Sequence, residues 1–245
     1  MQFSRYALGE IFLVVIGILI ALQINNWNEE RKDQNQITQY AHALISDLEA
    51  DLEMLDVVLR TAQTVVDSAN DLEHYMWRRD VDDVDNVRLV YHTTFVNYRP
   101  YSWNLSALNQ ILNSGAMRKI RNEELVRLIS EYHTVSRHLD NDYLLDVQKS
   151  HSAELLANEI VDTNLQDIVL PRWGAPYGYP PEGLVRDSSA SEPTLLINDQ
   201  AKLGQLVNTF SSLGGQIEVR VERELPEHIA RAERLIELLE AEYPR

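Results

Sequence analysis

The chain has 245 residues, of which 38 are acidic and 22 are basic, and its formal net charge is -16. Such an excess of carboxylates repels nucleic acid and anionic lipid headgroups and favours cationic partners. The absence of cysteine excludes disulfides, thiolate metal sites and a cysteine nucleophile. Because only 9 Gly and 8 Pro interrupt regular structure, we expect one folded, helix-rich domain.

A hydrophobic segment lies close to the N-terminus. Residues 11–22 are apolar without interruption, and Tyr6 and Trp27 are placed like interfacial aromatic anchors at the ends of a longer stretch. A helix of about 22 residues measures roughly 33 Å, which is enough to cross a bilayer. No small-residue cleavage site follows the apolar core. The sequence therefore predicts a short tail and a retained transmembrane anchor over residues 1–27.

Small residues share one face of the predicted anchor. Gly9, Gly17 and Ala21 recur at spacings of eight and four, which would let another helix approach closely, and Glu10 adjoins this face. One hypothesis is that the face docks against other transmembrane helices, where Glu10 meets a polar partner. The alternative is ordinary membrane-helix composition, with the Glu10 carboxylate snorkelling to the headgroups.

The charges that flank the anchor bear on its orientation. Arg5 lies on one side, and Arg31 and Lys32 lie on the other, mixed with acidic residues. We expect the tail in the cytoplasm and an acidic domain over residues 28–245 on the periplasmic side of a bacterial inner membrane.

The first half of that domain has helical periodicity. Its apolar residues recur at three- and four-residue steps, which predicts a helix of roughly forty residues or more that ends before the acidic stretch 80–85. The positions are Ile37, Ala41, Leu44, Leu48, Leu52, Leu55, Leu59, Ala62, Val66 and Ala69. Such a stripe is the buried face of an antiparallel bundle or the seam of an intermolecular coiled coil, and we favour the bundle.

Shorter helices and a second long one follow. Residues 87–96 and 103–113 are predicted to be short helices, with Gly115 at positive φ after the second, and Asn122 is expected to cap the long helix. The long helix runs toward residue 161. Its stripe consists of Leu125, Ile129, Tyr132, Leu139, Tyr143 and Val147.

The C-terminal part is predicted to contain two more helices. One runs from Asp199 to Leu213 and ends at Gly214-Gly215, and the other has its apolar stripe from Leu225 to Tyr243. Pro226 fits the first turn of the last helix or a kink in a longer one. The fold class expected is all-α, with a single N-terminal transmembrane helix followed by an extramembrane up-and-down bundle of about four long helices.

Residues 163–199 form a predicted loop that is dense in Gly, Pro and aromatic residues. A loop of this length in a compact domain is usually functional or disordered. Trp173, Tyr177 and Tyr179 either bind a partner or cover the end of the bundle, and the sequence favours neither alternative.

The run from Tyr6 to Glu29, YALGEIFLVVIGILIALQINNWNE, resembles the opening of a family of uncharacterised bacterial single-pass membrane proteins. A looser match lies within residues 98–133, in a helix, a Ser114-Gly115 turn and a second helix. The resemblance implies a retained anchor and an extracytoplasmic helical domain. It implies no activity.

The sequence carries only weak signatures of catalytic or metal-binding sites. None of the seven histidines pairs with a second ligand at the spacing of a helical metal site, and the nearest approaches are Asp71 with His74 and His151 with Glu154. The sequence contains no Gly-x-Ser-x-Gly motif and no Gly-rich phosphate loop, and the acidic stretch 80–85 lacks the glycine of a calcium loop. We therefore expect a protein without catalytic activity, cofactor or metal.

Two hypotheses of function remain. The first is an accessory subunit that packs through its anchor into a larger membrane complex, contacting lipid, other integral membrane subunits and a cationic protein. An energy-converting complex, such as a respiratory or photosynthetic reaction-centre assembly, is one candidate host because acidic surfaces suit basic electron carriers. The second is an extracytoplasmic sensor or small-ligand-binding bundle, which would pass its signal through a partner.

Overall fold

The computed structural model describes residues 2–161 and 195–244, without the side chains of residues 2–11, 13, 14 and 87. All regular elements in these ranges are helical, which confirms the predicted all-α class. The α-helices are α1 (Gln2–Met76), α2 (Asn86–Thr94), α3 (Ser106–Ser114), α4 (Glu123–Ile160), α5 (Gln200–Val219) and α6 (Leu225–Glu242). Two 3₁₀ turns, Val81–Asp83 and Ala116–Arg118, and a π-helical turn, Arg220–Glu224, connect them.

Helix α1 has 75 residues and runs from the predicted anchor into the domain without a break. Its predicted stripe is buried except at Leu52 and Leu59, which are half-buried. Asp51 is fully buried where the predicted stripe had Leu52, so the buried positions continue to alternate three- and four-residue steps through this point. The buried positions that keep this spacing are Leu48, Asp51, Leu55, Val58, Ala62, Val65, Ala69 and Leu72.

The chain divides into two compact units. The first comprises Met1–Leu48, Asn104–Ile129 and Leu235–Arg245. Within it, the Asp47 carboxylate accepts the Ala107 N–H at 2.9 Å, which satisfies a donor at the start of α3. Its core is formed mainly by Ile37, Leu44, Ile45, Leu108, Ile111, Leu125, Ile129 and Leu239.

Two of the predicted helix termini in the first unit are confirmed. Gly115 follows α3 with φ of 79°, the left-handed conformation that favours glycine. The Asn122 side chain accepts the Leu125 N–H at 3.2 Å and caps α4. The bounds of α2 and α3 differ from the predicted ones by a few residues, as helix ends read from sequence commonly do.

The second unit comprises Glu49–Trp103 and Ser130–Arg234. It holds one large apolar core, to which α1, α2, α4 and α5 all contribute. The largest contributors include Leu55, Leu72, Leu89, Leu139, Leu206, Phe210 and Leu213.

The predicted helix end at Gly214-Gly215 is wrong. Helix α5 continues to Val219 and passes through the π turn into α6. Gly214 instead allows α5 to pack closely against Ala69 of α1, because a Cβ built there would lie 2.6 Å from the Ala69 Cβ. Pro226, which lacks an N–H to donate, lies in the first turn of α6 directly after the π turn, as one of the two alternatives predicted.

The predicted burial of Val147 on α4 is also wrong, because this side chain is 36% exposed. Beyond Leu139 the buried face continues through the polar residues Asp146 and Ser150 before it reaches Ala153 and Ala157. A stripe assigned from apolar residues alone therefore includes positions on the solvent-exposed side of the helix.

Along the described part of the chain, no helix combines the length and the apolarity needed to cross a bilayer. The side chains of Tyr6, Gly9 and Glu10, which belong to the predicted anchor, lie outside the described ones. Residues 162–194, which include most of the predicted partner-binding loop with Trp173, Tyr177 and Tyr179, also lie outside the description.

Candidate functional site

Buried polar groups of the second unit converge on Asp146 of α4, whose side chain is 1% exposed. The Tyr98 hydroxyl donates to its Oδ2 at 2.7 Å, and the Gln216 side-chain amide donates to its Oδ1. Burial raises the pKa of Tyr98, and the nearby Tyr101 and Asp146 raise it further, so its hydroxyl keeps its proton and remains a donor.

Arg220, the first residue of the π turn, supplies the positive charge of this cluster. Its Nε lies 3.4 Å from Asp146 Oδ2, its Nη2 lies 3.1 Å from Asp142 Oδ2, and its Nη1 lies 2.7 Å from Glu224 Oε2. Burial alone would lower the pKa of Arg220, but the three carboxylates together raise it above its ordinary value. The guanidinium therefore stays charged and holds α4 against the π turn.

The same cluster brings together donors that suit a divalent cation. Ligand atoms of His138, Asp142 and Glu224 lie within 4.8 Å of one another. Arg220 already pairs with both carboxylates, so their negative charge is compensated by the guanidinium. The arrangement is that of an ion-pair network, and His138 at its rim lies 3.2 Å from Asp142.

A second polar centre surrounds His228 of α6, which is fully buried. Arg231 Nη1 lies 3.4 Å from His228 Nδ1, and because arginine only donates, Nδ1 accepts and Nε2 carries the proton. Nε2 then donates to Ser136 Oγ at 3.1 Å, and the Ser136 hydroxyl donates to the Tyr132 carbonyl at 2.8 Å. A histidine that donates to serine cannot act as its base, so this pair is not arranged for nucleophilic catalysis.

The His228 ring also has aromatic neighbours. It stacks on Tyr132 with 4.5 Å between ring centroids, and Trp103 meets its edge at 5.4 Å. The Tyr132 hydroxyl donates to Asp51 Oδ2 at 2.7 Å, which accounts for the buried carboxylate of α1. Burial, followed by the charge of Arg231, lowers the pKa of His228 to about 3, so the ring is neutral at pH 7.

The described predicted site residues, Gly17, Ala21 and Trp27, belong to the first unit, whereas both polar centres belong to the second. Gly17, Ala21 and Trp27 are exposed on α1, and a Cβ added at Gly17 would meet no described side chain within 4 Å. Sequence reasoning missed Asp51, Asp146, Arg220 and His228, because a search for apolar stripes passes over buried polar residues. The four-residue spacing of His138 and Asp142 was the available signal for the ion-pair network.

These features define an all-helical protein whose described polar centres are internally bonded and which exposes apolar side chains near the start of α1. The model of a family of unknown function, DUF6090, matches residues 10–153, and the chain belongs to this family. This agrees with the expected membership in an uncharacterised family. No curated protein and no solved structure gives a significant match.

Proposed function

We propose that the protein is a non-enzymatic, membrane-anchored accessory subunit that stabilises a larger membrane complex. The observation that carries this proposal is a dense run of exposed apolar side chains on α1. An apolar surface of this kind needs a cover of lipid or protein. The run comprises Phe12, Val15, Ile16, Ile18, Leu19, Ile20, Leu22, Ile24 and Trp27.

The continuity of α1 supports the same proposal. After Gly17 the helix contains neither glycine nor proline up to its end at Met76, so none of the usual sequence causes of a sharp kink is present. A segment held in a membrane would thus continue directly into the folded part of the chain. This suits a subunit that holds its domain close to a membrane partner.

The described polar centres support a structural role. The carboxylates around Arg220 and the ring of His228 are satisfied by neighbouring side chains of the same unit. Bound in this way, they lack the free nucleophile or base that catalysis would require. They are arranged to hold helices together.

The proposal includes a location and partners. The anchor lies in a bacterial inner membrane with its tail in the cytoplasm and residues 28–245 in the periplasm, and its small-residue face docks against other integral membrane subunits. The net charge of -16 suits a cationic protein in the same assembly, such as a basic electron carrier of an energy-converting complex.

Substitution of Gly17 by leucine tests the docking face. Among the described side chains, none lies within 4 Å of a Cβ built at this position, so the larger side chain meets no described side chain of the same chain. We expect Gly17→Leu to lose stoichiometric partners on extraction in a mild detergent, as judged by mass spectrometry of the co-purified proteins. The matched control is Val15→Leu, which adds bulk about 160° around the helix from Gly17 and should keep the partners.

Two outcomes would contradict the proposal. Identical partners for Gly17→Leu and the wild type would refute docking through this face. A wild-type chain that purifies as a monomer with a bound small molecule would favour the ligand-binding alternative.

A further inference from the structure

A cleft of about 370 Å³ in the first unit begins where the exposed apolar run of α1 ends. Trp27, Glu30 and Arg31 line it from α1, and Lys119 and Arg121 line it from the turn between α3 and α4. The Arg31 guanidinium carbon lies 5.7 Å from the centre of the Trp27 ring. Aromatic and basic side chains thus meet at the boundary between the apolar and polar parts of the helix.

The turn beside the cleft is unusually basic for this chain. Arg118, Lys119 and Arg121 are three of four consecutive residues in a protein whose net charge is -16, and all three are exposed. Lys119 Nζ pairs with Asp33 at 2.7 Å, and Arg121 Nη2 pairs with Glu30 at 2.9 Å. Exposed pairs of this kind contribute little and exchange readily, so both cations are available to a phosphate.

We propose that this cleft binds the headgroup of an anionic phospholipid, with Lys119 and Arg121 on the phosphate and the Trp27 indole at the boundary of the acyl chains. The inference rests on the proposed anchoring, because the apolar run places Trp27 at the membrane surface. That position selects a lipid phosphate over a free one.

The net charge of the chain predicts repulsion of anionic headgroups, but electrostatic screening limits that effect. Charges farther than about 8 Å from the cleft are largely screened at physiological salt, and the cleft itself is lined by the basic residues Arg31, Lys119 and Arg121 against the acidic residues Glu30 and Glu242. Each basic residue near a membrane surface increases binding to anionic lipid by about fivefold. The carboxylates of Glu30, Asp33 and Glu242 oppose this locally, and Glu30→Gln removes one of these opposing charges.

The experiment measures lipid preference of the full-length chain in a neutral detergent. Phosphatidylglycerol and phosphatidylcholine are added in equal amounts, and native mass spectrometry counts the retained lipids. We expect the wild type to retain phosphatidylglycerol over phosphatidylcholine by at least about fivefold, Glu30→Gln to strengthen the preference, and the triple variant R118Q/K119Q/R121Q to bind both equally. The matched control, R60Q/R137Q/R223Q, removes the same charge from exposed sites in the second unit and should retain the wild-type preference.

Three outcomes would overturn the inference. A triple variant that keeps the preference with unchanged circular dichroism refutes the cleft as the binding site. Loss of the lipid on addition of millimolar inorganic phosphate indicates a free-anion site instead. Release of the wild-type chain from membranes by alkaline carbonate refutes both the proposed anchoring and this inference. If either of the first two outcomes is found and the chain resists carbonate, the cleft proposal fails and the anchoring stands.

Discussion

Arg220 is the residue on which the charge balance of the second unit depends. Its side chain is 10% exposed, and its guanidinium pairs with the carboxylates of Asp142, Asp146 and Glu224. Removal of the cation leaves buried negative charges close together without compensation. The energetic weight of this residue therefore exceeds that of an ordinary surface ion pair.

We expect Arg220→Gln to lower the free energy of unfolding by about 3 to 5 kcal/mol, because buried carboxylates lose their partner. The control is Arg223→Gln, since Arg223 is 65% exposed on the same turn and should change stability by less than about 0.5 kcal/mol. Chemical denaturation in mild detergent, followed by circular dichroism, measures both. Equal stability of the two variants would show that the buried network contributes little.

His228 makes stability depend on pH. Its pKa is about 3 in the folded chain and about 6.5 when unfolded, so between these values the unfolded state binds a proton that the folded state does not. The free energy of unfolding therefore falls as pH falls, by about 1 to 1.5 kcal/mol between pH 7.5 and 5.5. Burial also lowers the pKa of His92, which adds a contribution of the same sign.

Denaturation at pH 7.5 and 5.5 tests this dependence. We expect the wild type and His74→Gln, a change at an exposed histidine, to lose similar stability on acidification. His228→Gln should lose less, because the titrating group is gone. If His228→Gln lost as much as the wild type, the histidine would not be buried as the structure shows.

The residue scale is where sequence reasoning was weakest. Asp51 and Asp146 occupy core positions on α1 and α4 because a tyrosine hydroxyl reaches each of them from elsewhere in the chain. The partners are 81 and 48 residues away in sequence, so local periodicity carries no signal for them. A charged residue within an apolar stripe is therefore ambiguous until the pairing of the helices is known.

At the scale of elements, the sequence predicted which segments are helical. It predicted a helix end correctly only where local backbone chemistry sets that end. The caps at Gly115 and Asn122 follow from local backbone chemistry, and the structure confirms both. Gly214-Gly215 has the composition of a break, yet α5 passes through it. Contact with Ala69 of α1 decides that position, and the local sequence does not contain this contact.

The adjacent glycines allow a matched test of this explanation. We expect Gly214→Ala to destabilise the protein by about 1 to 3 kcal/mol, because its Cβ would overlap that of Ala69. Gly215→Ala meets nothing within 4 Å and should stabilise the helix by up to about 1 kcal/mol. Thermal unfolding of the two variants distinguishes them. A shift of the same sign in both would mean that helix propensity, and not the contact, controls this position.

At the scale of the whole molecule, the all-α class followed from composition and periodicity alone.

The proposed topology makes a further prediction, that protease added to spheroplasts digests residues 28–245 and leaves the anchor with the membrane. Immunoblotting of a C-terminal tag before and after lysis measures the digestion. Cleavage that occurs only after lysis would place the domain in the cytoplasm and reverse the proposed orientation.

The π turn at Arg220–Glu224 has a consequence for the evolution of chain length. A π turn holds one residue more than the α-helical turn that it replaces. Loss of that residue would rotate everything after it by about 100°, because successive residues of an α-helix are separated by that angle. His228 would then move away from Ser136. A deletion that most loops tolerate would here turn the buried face of α6 toward solvent and its exposed face toward the core.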